Sequence, residues 1–395
     1  MASKKNLTIV NNNYIYNSNL LIKYKKTLTA FEGEYLHMLF QVSFGDGYAG
    51  SAKIAIMCSE QLMKKGYDLR LFASENSLTE RRAKERGINV ITLNSSEDFK
   101  NIYTDFRKNF IELKPLHIIS YHSLDRKLGI NLKKEFKDKF YNIAYRQNIT
   151  KSAPIIGPFI YNRYFDYQIA CSRGVAESLI KSGIRKKKVN VIHNGIEYPD
   201  NIDTISGTEI KDKYSLNGKI VLGLSTWFHK ERKGFDILFK AFSRLDDKFV
   251  LLIIGIPENQ QAEVINYAGT FGINREKIIM PGYVDDIWKY YKAMDVFLLT
   301  SRSEGFSLAL LEAGVSSVPL IASDIPGNDE FIRNGENGFL FNLNDTTGLV
   351  SIITRLGRDE KLRKILGMNA GKDVMQNHTI RNLANKMDEF LKTLN

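Results

Sequence analysis

The chain has 395 residues, 43% of them hydrophobic and 25% charged, which fits two globular domains. No apolar run reaches the length of a membrane-spanning helix, and the first residues, MASKKNLTIV, lack the long apolar core of a secretory leader. The net charge of +12 is uneven: residues 1–200 carry 32 Lys+Arg against 19 Asp+Glu, and residues 201–395 carry 24 against 25. The basic first half therefore suggests an anionic partner on that side, such as an acidic membrane surface or an anionic substrate. Its basic residues are dispersed and match no nucleic-acid-binding module, so no nucleic acid is expected. Cys58 and Cys171 lie far apart, form no metal-ligand pattern, and read as buried thiols.

Residues 1–34 are rich in Asn, Lys and Tyr with weak periodicity, and read as an arm of unassigned role. From there strands and helices alternate. Strands are expected over 35–44, 67–73, 89–93, 116–121, 141–145, 167–171 and 189–192. Helices are expected over 52–65, 98–113, 125–137, 158–164 and 174–182. A linker follows at Glu197-Tyr198-Pro199-Asp200-Asn201. A second alternating series starts with strand 220–224 and runs through strands 249–254, 278–280, 296–299 and 319–322, with helices between them. The last helix, about 380–394, puts Leu383, Met387, Phe390, Leu391 and Leu394 on one face. This alternation predicts an α/β protein of two doubly wound, Rossmann-like domains facing across a cleft. The expected domains are 35–198 and 199–374, with the helix at about 375–395 able to pack back on the first.

Several stretches carry chemistry. Asp295–Glu312 reads as a buried strand, a polar loop and a helix start, with Glu304 and Glu312 bracketing the turn. In open α/β sheets ligands sit at the carboxyl ends of strands, and a helix start offers free N–H groups to an anion. A phosphate at this turn with a hydroxyl-binding carboxylate on either side describes a nucleotide-sugar pocket. Gly45-Asp46-Gly47-Tyr48-Ala49-Gly50 matches the dinucleotide pattern G-x-G-x-x-G. Glu75, the candidate for its acidic partner, lies slightly late. His122 ends a strand, Tyr145-Arg146-Gln147-Asn148 follows another, and Asn194-Gly195 is a strong turn dipeptide. Lys233-Gly234 closes a charged loop after strand 220–224, and Pro281-Gly282-Tyr283-Val284 closes another. There is no D-x-D motif and no His/Asp/Glu cluster at ligand spacing, so no metal is expected to be required.

Glu304-Gly305-Phe306-Ser307-Leu308-Ala309-Leu310-Leu311-Glu312 resembles the E-x7-E motif of retaining glycosyltransferases of family 4, which have the GT-B fold. The resemblance extends over about residues 35–395, with several motifs in the family's order. It implies a donor site in which Glu312 binds the ribose hydroxyls and Glu304 contacts the sugar. Lys233 and the backbone N–H groups of Gly305, Phe306, Ser307 and Leu308 would bind the diphosphate, and Tyr283 and Val284 the base. It also implies that Gly50 and Ser51 face the donor phosphates and the acceptor, and that His122 lies beside the transferred sugar. Arg146 and Asn194 would then sit on the acceptor side. Three departures stand out. Gly50-Ser51-Ala52 replaces the usual Gly-Gly-Ala turn, and Glu197 replaces an Asp. Trp227 stands where a phosphate-binding arginine is usual, so that either Arg232 supplies the charge or the donor is gripped differently.

The expectation is a retaining glycosyltransferase that moves a sugar from a nucleoside-diphosphate-sugar to a glycan or glycolipid acceptor. It would need no further cofactor and would serve bacterial surface polysaccharide or lipopolysaccharide synthesis, in the cytoplasm or at the inner face of the membrane. Three alternatives stay open: a GT-B-fold nucleotide-sugar epimerase, a nicotinamide enzyme, and a catalytically silent nucleotide-sugar-binding subunit.

Overall fold

The computed structural model describes residues 38–44, 50–149 and 156–394. The arm expected over residues 1–34, the start of the first strand and residues 45–49 of the glycine-rich turn lie outside the described residues.

Thirteen parallel strands form two sheets among the described residues. The first contains β1 (Leu39–Val42), β2 (Leu69–Ser74), β3 (Val90–Leu93), β4 (His117–Ser120), β5 (Tyr141–Arg146), β6 (Tyr167–Ala170) and β7 (Val189–Val191). The second contains β8 (Ile220–Ser225), β9 (Phe249–Ile254), β10 (Ile278–Gly282), β11 (Val296–Leu299), β12 (Leu320–Ser323) and β13 (Gly338–Phe341). The orders are β3-β2-β1-β4-β5-β6-β7 and β10-β9-β8-β11-β12-β13. Central strands such as LFQV, VFLL and FVLLII are buried along their whole length, as helix-covered parallel strands must be. This near-continuous apolar content made the strands readable from the sequence.

Each sheet order reverses direction once, between β1 and β4 in the first and between β8 and β11 in the second. At such a switch point the chains leaving two adjacent strands diverge and open a crevice at the strands' carboxyl ends. The crevice of the first sheet is lined by residues after β1 and β4, and that of the second by residues after β8 and β11.

The chain crosses between the sheets twice, and the crossings pair. Ile196 forms a parallel bridge with Thr379: Ile196 N donates to His378 O (2.9 Å), and Ile380 N donates to Ile196 O (2.8 Å). After the second crossing the Ile380–Lys392 helix packs against the Gly50–Lys64 helix of the first sheet. Leu383, Ala384, Met387 and Leu391 are its buried face, and Asp388 accepts from Tyr67 Oη at 2.9 Å.

Two helices were not expected from the sequence. Leu78–Glu85 (LTERRAKE) buries only Thr79 and Ala83, and Thr208–Lys213 buries only Ile210, so neither shows apolar periodicity. Both cysteines are free and buried, and burial pushes the Cys58 thiol up to about 12.

Candidate active site

The two switch points bring most of the expected site residues together. On the second sheet, the loop after β8 carries Lys233 and the loop after β11 carries Glu304. Lys233 Nζ lies 2.8 Å from Glu304 Oε1, with both side chains nearly buried. The loops are laced by Arg302 N donating to Arg232 O (2.9 Å) and Thr300 Oγ1 donating to Lys233 O (3.1 Å). Gly234 permits the approach: its φ is +64°, and a Cβ there would stand 2.0 Å from Thr300 O.

The Leu308–Val315 helix starts directly after this turn, capped by the Ser307 side chain, which accepts from Leu310 N at 3.4 Å. Backbone bonding back into the turn begins with Leu311 N to Ser307 O at 3.4 Å. The N–H groups of Phe306–Leu308 precede it and make the start of the helix attractive to an anion. One turn on, Glu312 is 5% exposed. Its Oε2 accepts from the phenol of fully buried Tyr291 (2.9 Å), and its Oε1 pairs with Lys53 of the first sheet's Gly50–Lys64 helix. Burial, then the Glu312 charge, holds the Tyr291 phenol protonated, well above its ordinary range.

Opposite lies the switch point of the first sheet. Gly50 begins its helix against Leu308: a Cβ on Gly50 would lie 3.4 Å from Leu308 Cδ1. His122 follows β4, and its Nε2 is 3.3 Å from Ser43 Oγ and 3.4 Å from Ser51 Oγ. Asp125 fixes the histidine's backbone: its carboxylate accepts from His122 N (2.7 Å), Tyr121 N (3.1 Å) and Phe44 N (3.2 Å). Burial raises the Asp125 pKa, against the pull of His122 and these N–H groups.

The remaining expected residues are placed otherwise. Arg146 is buried, with Nη1 on Gln168 Oε1 (3.1 Å) and its guanidinium over Tyr161, so it is no surface arginine. Burial, then Arg126, pushes its pKa down to about 10. Asn194 is committed to a strut between the sheets: Oδ1 accepts from Tyr145 Oη (3.0 Å) and Nδ2 donates to Phe306 O (3.1 Å). Arg232 donates to Asn148 Oδ1 (3.0 Å) across the cleft and lies 5.8 Å from the Trp227 ring. Tyr283 is exposed and Val284 half-buried after β10, two strands from the switch point.

Side chains beyond the expected site residues complete the arrangement. Glu330 of the second sheet accepts from Arg173 N (2.7 Å) and Gly174 N (2.8 Å) at a helix start of the first. It also lies 2.8 Å from His193 Nε2. Burial opposes its charge, but these partners outweigh burial and hold its carboxyl below the usual value. Lys53 and Tyr291 position Glu312, and no local pattern announces them. Asp125 had a signal, an acidic residue three positions after the residue that opens a helix. No group of three or more His, Cys, Asp or Glu side chains able to hold a metal occurs among the described residues.

Two doubly wound sheets meeting at their switch points, with a carboxylate-flanked helix start in the cleft, define the GT-B class of α/β proteins. Residues 208–373, the part of the chain built around the second sheet, match the family model "Glycosyl transferases group 1". The capsular polysaccharide biosynthesis glycosyltransferase CapM of Staphylococcus aureus is 28% identical over 217 residues, covering 52% of this chain and 56% of that protein. A UDP-Gal:alpha-D-GlcNAc-diphosphoundecaprenol alpha-1,3-galactosyltransferase of Escherichia coli is 27% identical over 215 residues, covering 51% and 54%. The chain thus spans little more than half the length of these curated relatives. The structure of Anabaena Alr3699/HepE in complex with UDP-glucose superposes with a TM-score of 0.80 at 16% identity, covering 91% of this chain and all of that one. That likeness is one of fold.

Proposed function

We propose that the protein is a retaining glycosyltransferase that moves a sugar from a nucleoside-diphosphate-sugar to a glycan or glycolipid acceptor. The observation that carries this reading is the turn after β11. Glu304 and Glu312 flank the start of the Leu308–Val315 helix there, each already paired with a lysine, against the Gly50 end of the first sheet's helix. Glu312 would take the ribose hydroxyls, and the Phe306–Leu308 N–H groups with Lys233 the diphosphate. Glu304 and His122 would border the sugar. Stabilising the charge that develops on the departing diphosphate is the largest contribution such a site can make. With no separate nucleophile assigned, retention would come from acceptor attack on the leaving-group face, with the acceptor hydroxyl's proton passing to the departing phosphate oxygen. The acceptor would lie against the first sheet. Synthesis of surface polysaccharide at the inner face of the cytoplasmic membrane is the proposed setting, supported by the capsular and lipid-linked roles in the relatives' names.

The test is nucleoside-diphosphate release across a panel of UDP-, GDP-, ADP- and CDP-sugars, with mass detection of the glycosylated product. Lys233→Ala and Glu304→Gln should each lower turnover by roughly 100-fold or more, as loss of one transition-state contact does. Full turnover in either variant would sink the site assignment. Conversion of a nucleotide-sugar without an acceptor would favour the epimerase reading.

A further inference from the structure

Glu312 is held from both sides in a way the proposed donor must disturb. Its Oε1 is taken by Lys53 and its Oε2 by Tyr291. Tyr291 belongs to the same half of the molecule and is wholly buried, so its hydrogen bond persists whatever binds. Lys53 differs. It comes from the first sheet's helix, 259 residues away in sequence, and its side chain is 28% exposed where that of Glu312 is 6% exposed. It also stands in the first turn of the Gly50–Lys64 helix, which has no acidic residue in that turn. There the helix dipole disfavours a cation, and the Glu312 carboxylate faces it across the cleft.

We propose that Lys53 is a positioning residue that acts through Glu312, as an internal competitor for the donor's ribose. This rests on the reading of Glu312 as the ribose-binding carboxylate. In the unliganded cleft the ammonium satisfies a carboxylate that would otherwise be buried with a single partner. When a nucleotide enters, its adjacent ribose hydroxyls take over Oε1 and the ammonium withdraws. Space for it exists: Lys53 lines a cavity of about 920 Å³ between the two sheets, whose wall includes Asp200 and Glu197. Donor binding therefore breaks a contact between the two halves, and the ribose's share of donor affinity is the difference between hydroxyl and ammonium recognition at one oxygen atom. Without the lysine, the carboxylate would keep its Tyr291 bond, remain buried, and bind hydroxyls more strongly.

The experiment is calorimetric titration of the full-length protein with UDP, GDP, ADP and CDP, and with inorganic pyrophosphate as the ribose-free probe. Lys53→Met should bind whichever nucleoside diphosphate the parent prefers about tenfold more tightly, the scale of one modest charge-pair coupling. Its affinity for pyrophosphate should be unchanged, and in turnover the donor KM should fall. Lys53→Arg, which keeps a cation facing Glu312, should restore the parent affinity. Weaker nucleotide and pyrophosphate binding in Lys53→Met would overturn the proposal by making Lys53 a phosphate contact. Unchanged nucleotide binding with lowered melting temperature would reduce the ion pair to scaffolding. Glu312→Ala separates the two levels of inference: if it keeps full nucleotide affinity, the ribose assignment itself fails, whatever Lys53 does.

Discussion

Gly305→Ala is the sharpest probe of the cleft, because the glycine sits where the two halves touch. A Cβ there would stand 2.0 Å from Gln147 O and 2.9 Å from Cys171 Sγ, both on the first sheet. Ordinary carbon-to-oxygen contact is about 3.3–3.6 Å, so the turn must retreat by more than an ångström. It cannot retreat easily. Gly327 lies behind it, close enough that a Cβ on Gly327 would meet Gly305 O at 2.2 Å. The Asn194 strut also ties Phe306 O to the first sheet. Overpacking of this kind costs about 1–3 kcal/mol, which removes roughly 5- to 150-fold of the closed arrangement. Nucleoside-diphosphate release should fall by a similar factor and thermal melting by a few degrees. Gly269→Ala is the matched control. It ends a surface helix, has nothing within 4 Å of its Cβ position, and should leave activity alone. If Gly305→Ala kept parental turnover and melting, the two sheets would not close on each other at this turn, and the site built across it would fall.

The remaining predictions concern what holds that cleft. His378 packs between Phe306, Phe331 and His193, and burial, then His193 and Lys386, push its pKa down to about 4. An unfolded chain takes up that proton near pH 6.5 and the folded one does not. This stability is therefore complete above about pH 6.5, declines as pH falls toward 4, and amounts to about 3 kcal/mol. Denaturant titrations should show the decline between pH 6.5 and 5, and His378→Phe should flatten it; an equal slope in the variant would refute the assignment. Asp388→Ala strips the acceptor from Tyr67 Oη and a partner from Lys65 and Lys392. It should cost about 1–3 kcal/mol and expose the last helix to limited proteolysis before the rest unfolds. Chelation by EDTA should leave turnover unchanged; loss restored by a divalent cation would show that Lys233 and the Phe306–Leu308 N–H groups do not suffice for the diphosphate.

The fold was legible where burial is continuous and obscure where it is not. Runs such as Phe249–Ile254 advertise themselves because both faces of a parallel strand are apolar. The Leu78–Glu85 helix shows no such pattern. Its signal is local: Ser77 accepts from Glu80 N at 3.1 Å, and Glu80 reaches back to Asn76 N at 2.6 Å, a capping signature in Ser77-Leu78-Thr79-Glu80. The site divides the same way. Glu304, Lys233 and His122 stand at strand ends that a sequence can locate. The surroundings of Arg146 and Asn194 are set by neighbours from distant strands, which no local pattern shows.

The absence of an arginine at Trp227 acquires a meaning once the pairs are counted. Lys233 faces Glu304 and Lys53 faces Glu312, so the cleft presents two neutral pairs at this turn. Arg232, a nearby half-buried cation, is itself tied to Asn148. On the proposed reading, a bare phosphate that drew Lys233 toward it would leave Glu304 buried and unpaired, a costly state. A free sugar would meet carboxylates already occupied by ammonium groups. A molecule carrying both a diphosphate and hydroxyls avoids both penalties, because its phosphates engage the lysine while its hydroxyls satisfy the carboxylate released. Selectivity would then come from the pairing itself, with the extra arginine dispensable because affinity for phosphate alone is not what the cleft is built to supply.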